Sequence, residues 1–197
     1  MKSTERSTSS RSDKAEATRA AILASARRLF AEHGYEGAGL RGIAEGAGVT
    51  AMMVSRYFGS KEGLFGEVVT DSMRDPVILS AGNLAAPDIA RAFAEALVGL
   101  TGRDAEPLDG FLILFRSSSS PVAAQIARER IAAAHQTTAE GVARGAHAPE
   151  RAAIFLSMVA GFQMMRQMLQ LAPLVDAEPS VLADLMTPLF AAILDPA

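Results

Sequence analysis

The segment from Leu40 to Tyr57 reads LRGIAEGAGVTAMMVSRY and contains two short apolar patterns separated by a glycine. Ile43 and Ala44 mark the first pattern at helical spacing, and Val54 belongs to the second. Gly48 between them can adopt the positive φ that a tight turn requires. The segment therefore predicts a helix, a turn and a second helix, with a small Ala44 that lets the helices cross closely. This arrangement is typical of DNA-binding proteins, in which the second helix enters the major groove.

Length and composition indicate a globular chain. At 197 residues, with 49% hydrophobic and 21% charged residues, it can form one large domain or a small domain joined to a medium one. The absence of cysteine removes disulfide frameworks and thiolate metal sites. No apolar run approaches the roughly 20 residues that span a bilayer, and the polar N-terminus lacks a secretory signal. We therefore expect a cytoplasmic protein without a membrane partner.

Charge is distributed unevenly along the chain. Residues 1–60 contain nine Lys/Arg and six Asp/Glu, a surplus of three positive charges. Since the total is −3, the remaining residues carry −6. A basic front and an acidic back favour a DNA-binding head on a body that does not touch DNA.

The N-terminal residues divide into a tail and a helix. Residues 1–13 are rich in Ser, Thr and Arg without periodicity, which predicts a disordered tail. An arm that touches DNA through Arg6 and Arg11 is the alternative. Residues 14–33 carry apolar side chains at helical spacing and predict a first helix beneath the helix-turn-helix. Gly34 follows in the position favoured by a C-terminal cap.

The second helix of the motif carries the candidate recognition residues. Thr50 stands where the N-cap of this helix belongs. Arg56 can pair bidentately with guanine, although a solvated surface charge is the alternative, and Met52 or Ala51 can touch a thymine methyl group. The positions expected to be exposed for recognition are Thr50, Ala51, Met52, Met53, Ser55 and Arg56.

Several short motifs follow one another between Gly34 and Phe65: Gly34-Tyr35-Glu36, Ile43-Ala44, Ala47-Gly48-Val49-Thr50, Tyr57-Phe58 and Ser60-Lys61-Glu62-Gly63-Leu64. In combination they are highly specific, and the segment 14–65 resembles the DNA-binding domain of the TetR family of transcriptional repressors. Beyond Phe65 the resemblance is one of architecture.

The resemblance implies roles for individual residues. Thr50, Tyr57 and Lys61 would hold phosphates, while Arg41 and Arg56 would reach bases. Lys61 has physical support as well, because it begins a helix whose free N–H groups and dipole would converge with its ammonium on one anion. The expected DNA-binding set is Arg41, Thr50, Ala51, Met52, Met53, Ser55, Arg56, Tyr57 and Lys61.

The rest of the chain is predicted to form further helices. Apolar periodicity predicts them at 61–74, 88–101, 107–116, 121–144, 149–171 and 179–194. The fold class is therefore all-α, with about nine helices. A three-helix DNA-binding domain at 14–60 would be followed by a helical effector-binding and dimerisation domain at 61–197.

The last two predicted helices are apolar on most of their faces, which a small body cannot bury completely. The resemblance implies that they form a four-helix dimer interface and that a two-fold homodimer binds a palindromic site. The alternative is that both helices are the core of a monomer. The expected interface residues are Phe155, Val159, Arg166, Leu182, Leu185, Met186, Leu189, Phe190 and Ile193.

A small effector is the expected second partner, and apolar side chains of the body are the candidates to bind it. Methionine and phenylalanine suit an adaptable pocket for an apolar or amphipathic ligand. The same residues at the same spacing also suit a solid core. The candidates are Phe93, Leu97, Phe111, Phe115, Arg116, Met158, Phe162 and Met165.

Catalysis finds little support in the sequence. The three histidines are far apart and no metalloprotease, Walker or Gly-x-Ser-x-Gly pattern occurs. We expect no enzyme, no metal and no cofactor, but a ligand-responsive transcriptional regulator that represses from a palindromic operator. The alternative is a helical ligand-binding or protein-interaction module with impaired DNA reading. Ser55 favours it, because TetR relatives often carry an aromatic residue there, as do the weakly polar Met52 and Met53.

Overall fold

A computed structural model describes residues 3–103, 105 and 108–195, with side chains from residue 12 onward. Within these ranges the chain is helical and contains no strand, which confirms the predicted all-α class. The helices are α1 (Ser3–Gly37), α2 (Leu40–Gly46), α3 (Ala51–Phe58), α4 (Lys61–Ser72), α5 (Ala81–Leu84), α6 (Ile89–Leu100), α7 (Asp109–Ser117), α8 (Pro121–Ile131), α9 (Thr137–Val142), α10 (Ala148–Gln163), α11 (Ala172–Val175) and α12 (Pro179–Leu194), with π-helical segments at Ala132–Gln136 and Met164–Met168.

The chain packs as two compact units. The first contains residues up to Ser72 together with Asp109–Arg128, and the second contains Met73–Leu108 together with the residues from Glu129 on. In the first unit, α4 and α7 both pack against α1. The division into a DNA-binding domain at 14–60 and an effector domain at 61–197 concerns roles rather than packing, and it stays a prediction.

The core of the first unit forms around α1. Ile22 and Phe30 of α1 are fully buried, as are Ile43 of α2 and Phe65 of α4. The rings of Phe30 and Phe65 meet edge to face, with their centroids 5.1 Å apart, an arrangement that aromatic quadrupoles favour. These contacts give the short helices α2 to α4 a rigid base.

The second unit is built around α6, α10 and α12. Phe155 of α10 lies between Phe93 of α6 and Phe190 of α12, with ring centroids at 5.3 and 5.0 Å. All three rings are fully buried. Each helix therefore directs its aromatic face inward, and the burial of three rings supplies a large share of the hydrophobic stabilisation of this unit.

Two features of the chain differ from the sequence predictions. The described part of the segment 1–13 is helical from Ser3 on, in place of the predicted disordered tail. Between residues 3 and 33 there is no glycine or proline to interrupt a helix, so α1 extends to its N-terminus without a break. The single-turn helices α5 and α11 and the two π-helical segments were not predicted, because segments of four or five residues are too short for a periodic signal.

Two of the longer helices agree with the predictions to within one residue at each end. α12 coincides with the predicted 179–194, and α6 differs from the predicted 88–101 by one residue at each end. When α5 and α11 are set aside and the continuous run from α8 through α9 is taken as one helix, nine helices remain among the described residues, as expected. None of these helices combines the length and the apolarity that crossing a bilayer requires.

Candidate nucleic-acid interface

The turn between α2 and α3 has the geometry expected of a helix-turn-helix. Gly48 has φ 66°, the left-handed conformation for which glycine carries no Cβ strain. The amide of Val49 donates to the carbonyl oxygen of Ala44 at 2.9 Å, which closes the turn. Thr50 is the N-cap of α3, and its hydroxyl accepts from the amide of Met53 at 3.3 Å. The predicted turn residue and N-cap are both in place.

The face of α3 that points away from the core is exposed. Val54 is 1% exposed and holds the helix to the unit, whereas Met52 on the opposite side is 80% exposed. This is the highest exposure among the large apolar side chains of the described residues, and the thioether suits an apolar partner such as a thymine methyl group. Of the other predicted positions, Arg41, Thr50, Ser55 and Arg56 are exposed, and Ala51, Met53 and Tyr57 are half-buried.

The start of α4 lies next to α3 because Gly63 has no side chain. A Cβ on Gly63 would overlap the carbonyl oxygen of Phe58, the last residue of α3. The hydroxyl of Ser60 accepts from the amide of Gly63 at 3.2 Å and so caps the helix. Lys61 is half-buried, and its ammonium lies 4.5 Å from the centroid of the Tyr35 ring. The lysine is thus held at a helix N-terminus, the arrangement predicted for an anion site.

Tyr35 and Glu62 lie beside Lys61 at the start of α4 and are bonded to each other. The Tyr35 hydroxyl donates to Oε1 of Glu62 at 2.9 Å. Burial, followed by the hydrogen bond to Glu62, raises the pKa of Tyr35 to about 12, so the phenol keeps its proton at physiological pH. Hydrogen bonds from the Ser60 hydroxyl, the Glu62 amide and Tyr35 lower the pKa of Glu62, so its carboxylate stays ionised.

Two of the basic residues on α1 are engaged within the unit. The guanidinium of Arg19 bonds Glu67 of α4 at 2.7 Å and lies 5.0 Å from the centroid of the Phe58 ring. Arg27 forms an ion pair with Asp71 of α4. Part of the surplus of positive charge in residues 1–60 thus fixes α4 on α1. The charge available for DNA is therefore smaller than the count over these residues indicates.

The predicted effector residues belong to different units. Phe111, Phe115 and Arg116 lie on α7 in the first unit, where the Arg116 guanidinium donates to the carbonyl oxygen of Ala31. The other five candidates lie in the second unit. Two of them are fully buried in its core, one on each of two successive turns of α6, and the remaining three lie on α10 and the π-helical segment after it; they are Phe93, Leu97, Met158, Phe162 and Met165.

The burial of Phe93 and Leu97 assigns them to the core of the second unit. Met158 and Phe162 are half-buried, and Met165 is 38% exposed. A pocket in the second unit would therefore use these last three residues, and their role as ligand contacts stays a prediction.

The predicted interface requires a correction. Phe155 and Phe190 are fully buried inside the chain and Leu182 is nearly so, which leaves them no surface to offer to a partner. α10 and α12 are apolar on most faces, and one face of each packs in the core. The spacing of the apolar residues does not tell which face this is. Met186 is also buried, Val159 and Ile193 are half-buried, and Leu185 and Leu189 are exposed.

Arg166 was expected at the same interface, and the structure places it elsewhere. It is 5% exposed, and it donates to the carbonyl oxygens of Val98 at 2.7 Å and Leu174 at 2.9 Å and to the hydroxyl of Thr101 at 3.0 Å. Desolvation lowers the pKa of its guanidinium. Arg166 therefore caps the C-terminal end of α6 from inside the second unit.

Sequence reasoning missed the role of Tyr35, Glu62 and Ser117. The Ser117 hydroxyl on α7 accepts from the amide of Tyr35 at 2.9 Å. Tyr35 and Glu62 appear in the motifs that carry the family resemblance, and this was the available signal. Ser117 carries none, because it lies in a run of four serines and its partner is 82 residues away.

Two family models match this chain. The model described as bacterial regulatory proteins, tetR family, matches residues 22–68. The model described as tetracyclin repressor-like, C-terminal domain, matches residues 86–194. Together the two matches include the helix-turn-helix, the start of α4 and every helix from α6 to α12.

Individual relatives are similar over short segments of the chain. The HTH-type transcriptional repressor AcnR of Corynebacterium glutamicum is 49% identical over 53 residues, which are 27% of this chain and 28% of that protein. The HTH-type transcriptional regulatory protein RaaS of Mycobacterium tuberculosis is 56% identical over 45 residues, 23% of this chain and 21% of that protein. The matched segment thus spans less than a third of the length of these curated relatives.

The similarity of the fold extends much further. The crystal structure of a TetR-family regulator from Streptomyces coelicolor superposes with a TM-score of 0.63 at 26% identity, and the alignment covers 91% of this chain and 95% of the other.

Proposed function

Because the chain belongs to the TetR family of bacterial regulatory proteins, we propose that it is a transcriptional regulator that reads an operator with α3 and holds the flanking phosphates at the start of α4. The observation that carries this proposal is the exposed face of α3 on a rigid base. Thr50, Met52 and Arg56 project from a helix that a buried Val54 and a capped N-terminus hold in place.

The division of labour on this surface follows from side-chain chemistry. The guanidinium of Arg56 offers paired donors to guanine, and Met52 offers an apolar contact to thymine, so both can discriminate between bases. Thr50, Tyr57 and Lys61 offer hydroxyls and an ammonium to phosphate oxygens, which position the protein without reading sequence. The half-buried Lys61 lies over an aromatic ring and needs little reordering on binding.

A homodimer is consistent with this proposed function, because two copies would present two α3 helices to the half-sites of a palindrome. An exposed apolar stripe on α12 supports the dimer: Val181, Leu185 and Leu189 are spaced four residues apart and are 49%, 63% and 49% exposed. Ile154 on α10 is exposed as well. This stripe replaces Phe155, Leu182 and Phe190 as the proposed contact surface.

Repression with release by a small apolar or amphipathic effector completes the proposal. A ligand that binds one conformation of the dimer more tightly shifts the population toward it, and DNA is released when that conformation no longer matches the spacing of the half-sites. Met158, Phe162 and Met165 of the second unit are the proposed contacts. The π-helical segment Met164–Met168 supports this location, because such segments frequently occur at functional sites.

The test is binding of the purified protein to tiled fragments of the DNA that flanks its own coding region, at two salt concentrations, followed by footprinting. We expect one discrete fragment with two-fold symmetric protection. Equal binding of all fragments, or binding of none, would contradict the proposal and favour a ligand-binding module with impaired DNA reading. Candidate effectors are then added to the complex, and release of the fragment identifies an inducer.

A further inference from the structure

We propose that Tyr35 is a positioning residue for the phosphate-binding Lys61 and that it connects this lysine to the C-terminal end of α7. The inference rests on the proposed function, since it assumes that Lys61 contacts DNA phosphate. Tyr35 lies at the end of α1 and is 5% exposed, so it does not itself reach DNA. Three separate contacts, made by its ring, its hydroxyl and its amide, carry the inference.

The ring of Tyr35 provides a fixed platform for the ammonium. It stacks on Phe30 with centroids 6.2 Å apart and meets Phe65 edge to face at 5.1 Å, so its orientation is set by the core. The Lys61 ammonium lies 4.5 Å from the centroid of this ring, within the range of a cation–π interaction. A lysine side chain is otherwise free to rotate about four bonds, and the ring restricts it to the region above the first turn of α4.

The hydroxyl of Tyr35 controls the neighbouring acid. Glu62 follows Lys61 in the first turn of α4, where its carboxylate competes with a phosphate for the same helix N-terminus. The hydrogen bond from the Tyr35 hydroxyl fixes this carboxylate at 2.9 Å. The phenol remains protonated and Glu62 remains ionised at neutral pH, so the bond persists under binding conditions.

The backbone of Tyr35 is held by α7. Its amide donates to the Ser117 hydroxyl at 2.9 Å in a buried contact. The preceding Gly34 has φ 65°, and a Cβ at this position would overlap the carbonyl oxygen of Arg116. The last turn of α7 thus packs directly on the corner that carries Tyr35. α7 lies within residues 86–194, which match the C-terminal family model, whereas Tyr35 and Lys61 lie within residues 22–68.

A displacement of the end of α7 would therefore shift Tyr35. Through its ring and hydroxyl, Tyr35 would in turn shift Lys61 and Glu62. The path consists of direct contacts inside the first unit. Through this path α7, which belongs to the segment that matches the C-terminal family model, would influence phosphate binding without contacting DNA itself.

A double-mutant cycle on DNA affinity tests the ring contact. We expect Lys61→Ala to weaken binding of the protected fragment severalfold in the wild-type background, and its effect to shrink by about threefold or more in the Tyr35→Leu background, because contacting residues couple. Tyr35→Phe keeps the ring and should restore the full effect of Lys61→Ala. Ile22→Ala is the control for core loosening, because Ile22 is a fully buried residue of α1 that takes part in none of the ring contacts described for Tyr35 and Lys61.

A second pair of variants tests the link to α7. Ser117→Ala should weaken DNA binding severalfold in the wild type and have a smaller effect in the Tyr35→Leu background. Ser118→Ala is the matched control, because Ser118 is exposed and its hydroxyl donates to the carbonyl oxygen of Phe115 at the end of the same helix. Circular dichroism and thermal unfolding establish that each variant is folded at the temperature of the binding assay.

The outcomes separate the two proposals. If Lys61→Ala weakens binding equally in the wild-type and Tyr35→Leu backgrounds, Tyr35 is a core residue only, and this inference fails while the proposed function stands. Full coupling between Ile22→Ala and Lys61→Ala would overturn the inference as well, because it would reveal a general effect of core loosening. If Lys61→Ala leaves the affinity unchanged, or the wild type binds no DNA, the proposed function fails at the same time.

Discussion

The hydroxyl of Ser25 on α1 donates a hydrogen bond to the carbonyl oxygen of Ile43 on α2 at 2.9 Å, in a buried contact that fixes the first helix of the helix-turn-helix. Gly46, one turn further along α2, lies so close to Ser25 that a Cβ would overlap its hydroxyl oxygen. The position of the DNA-reading motif therefore depends on a small residue and a hydroxyl that meet across two helices.

This relationship predicts a coupled pair of variants. Ser25→Ala should lower the free energy of unfolding by about 1 kcal/mol, the net value of a buried hydrogen bond. Gly46→Ala should push the hydroxyl out of place and cost a similar amount. In the double variant the loss should be clearly smaller than the sum, because the alanine methyl then occupies the space that the hydroxyl leaves. Urea denaturation of the four proteins measures this, and simple additivity would contradict the described contact.

Two glycines with nearly the same positive φ should respond differently to alanine. Gly34 and Gly48 have φ 65° and 66°, and Gly34 has ψ −177°, a combination that is essentially limited to glycine. At Gly48 a Cβ meets open space, so Gly48→Ala should cost only the conformational strain of about 1–2 kcal/mol. At Gly34 the Cβ also overlaps the backbone of Arg116, and the loss should reach about 3 kcal/mol or more. Equal losses in chemical denaturation would show that α7 does not pack on this corner.

Arg166 should matter for stability rather than for dimerisation. Replacing it by alanine removes a donor from two backbone carbonyl groups and from the Thr101 hydroxyl, and it removes a packed side chain, so we expect a loss of about 2–4 kcal/mol in the free energy of unfolding. Arg103→Ala is the control, because Arg103 is exposed and pairs with the exposed Asp176, a contact worth about 0–1 kcal/mol. A small loss at Arg166, accompanied by dissociation of a dimer, would return this residue to the interface.

The exposed stripe on α12 predicts the behaviour of a charge substitution. Leu185→Glu should convert a dimer to a monomer, because each interface would then bury an uncompensated carboxylate. Val122→Glu on α8 makes the same kind of change at a comparably exposed apolar residue of the first unit and should leave the dimer intact. Light scattering after size-exclusion chromatography measures the mass of both variants. A Leu185→Glu protein that remains dimeric would rule out this surface.

Much of the fold could be predicted from the sequence because its signals are local. Gly48 and Thr50 identify the turn and the cap by their own chemistry. The bounds of α12 follow from Pro179 at its start and from an apolar pattern that continues to Leu194.

The remaining features depend on residues that are distant in the sequence. The partners of Arg166 lie up to 68 residues away, and two of the three are backbone carbonyl groups, which no side-chain pattern reveals. Phe155 and Phe190 belong to helices that are apolar on most faces, so the sequence cannot tell which face meets the core and which remains exposed. The link between Tyr35 and Ser117 likewise follows only from the packing of α7 on α1.

The most direct test of DNA reading by α3 and phosphate binding by α4 is the affinity for the protected fragment and for a scrambled fragment as a function of salt. Lys61→Ala should weaken binding to both fragments alike and reduce the slope of log K against log salt by about 1. Arg56→Ala should cost about 1–3 kcal/mol on the protected fragment and narrow its preference over the scrambled one. Arg144→Ala, which removes an exposed arginine of the second unit, should leave both affinities unchanged. If the Lys61 and Arg56 variants bind both fragments as the wild type does at every salt concentration, the assigned surface is not the one that holds DNA.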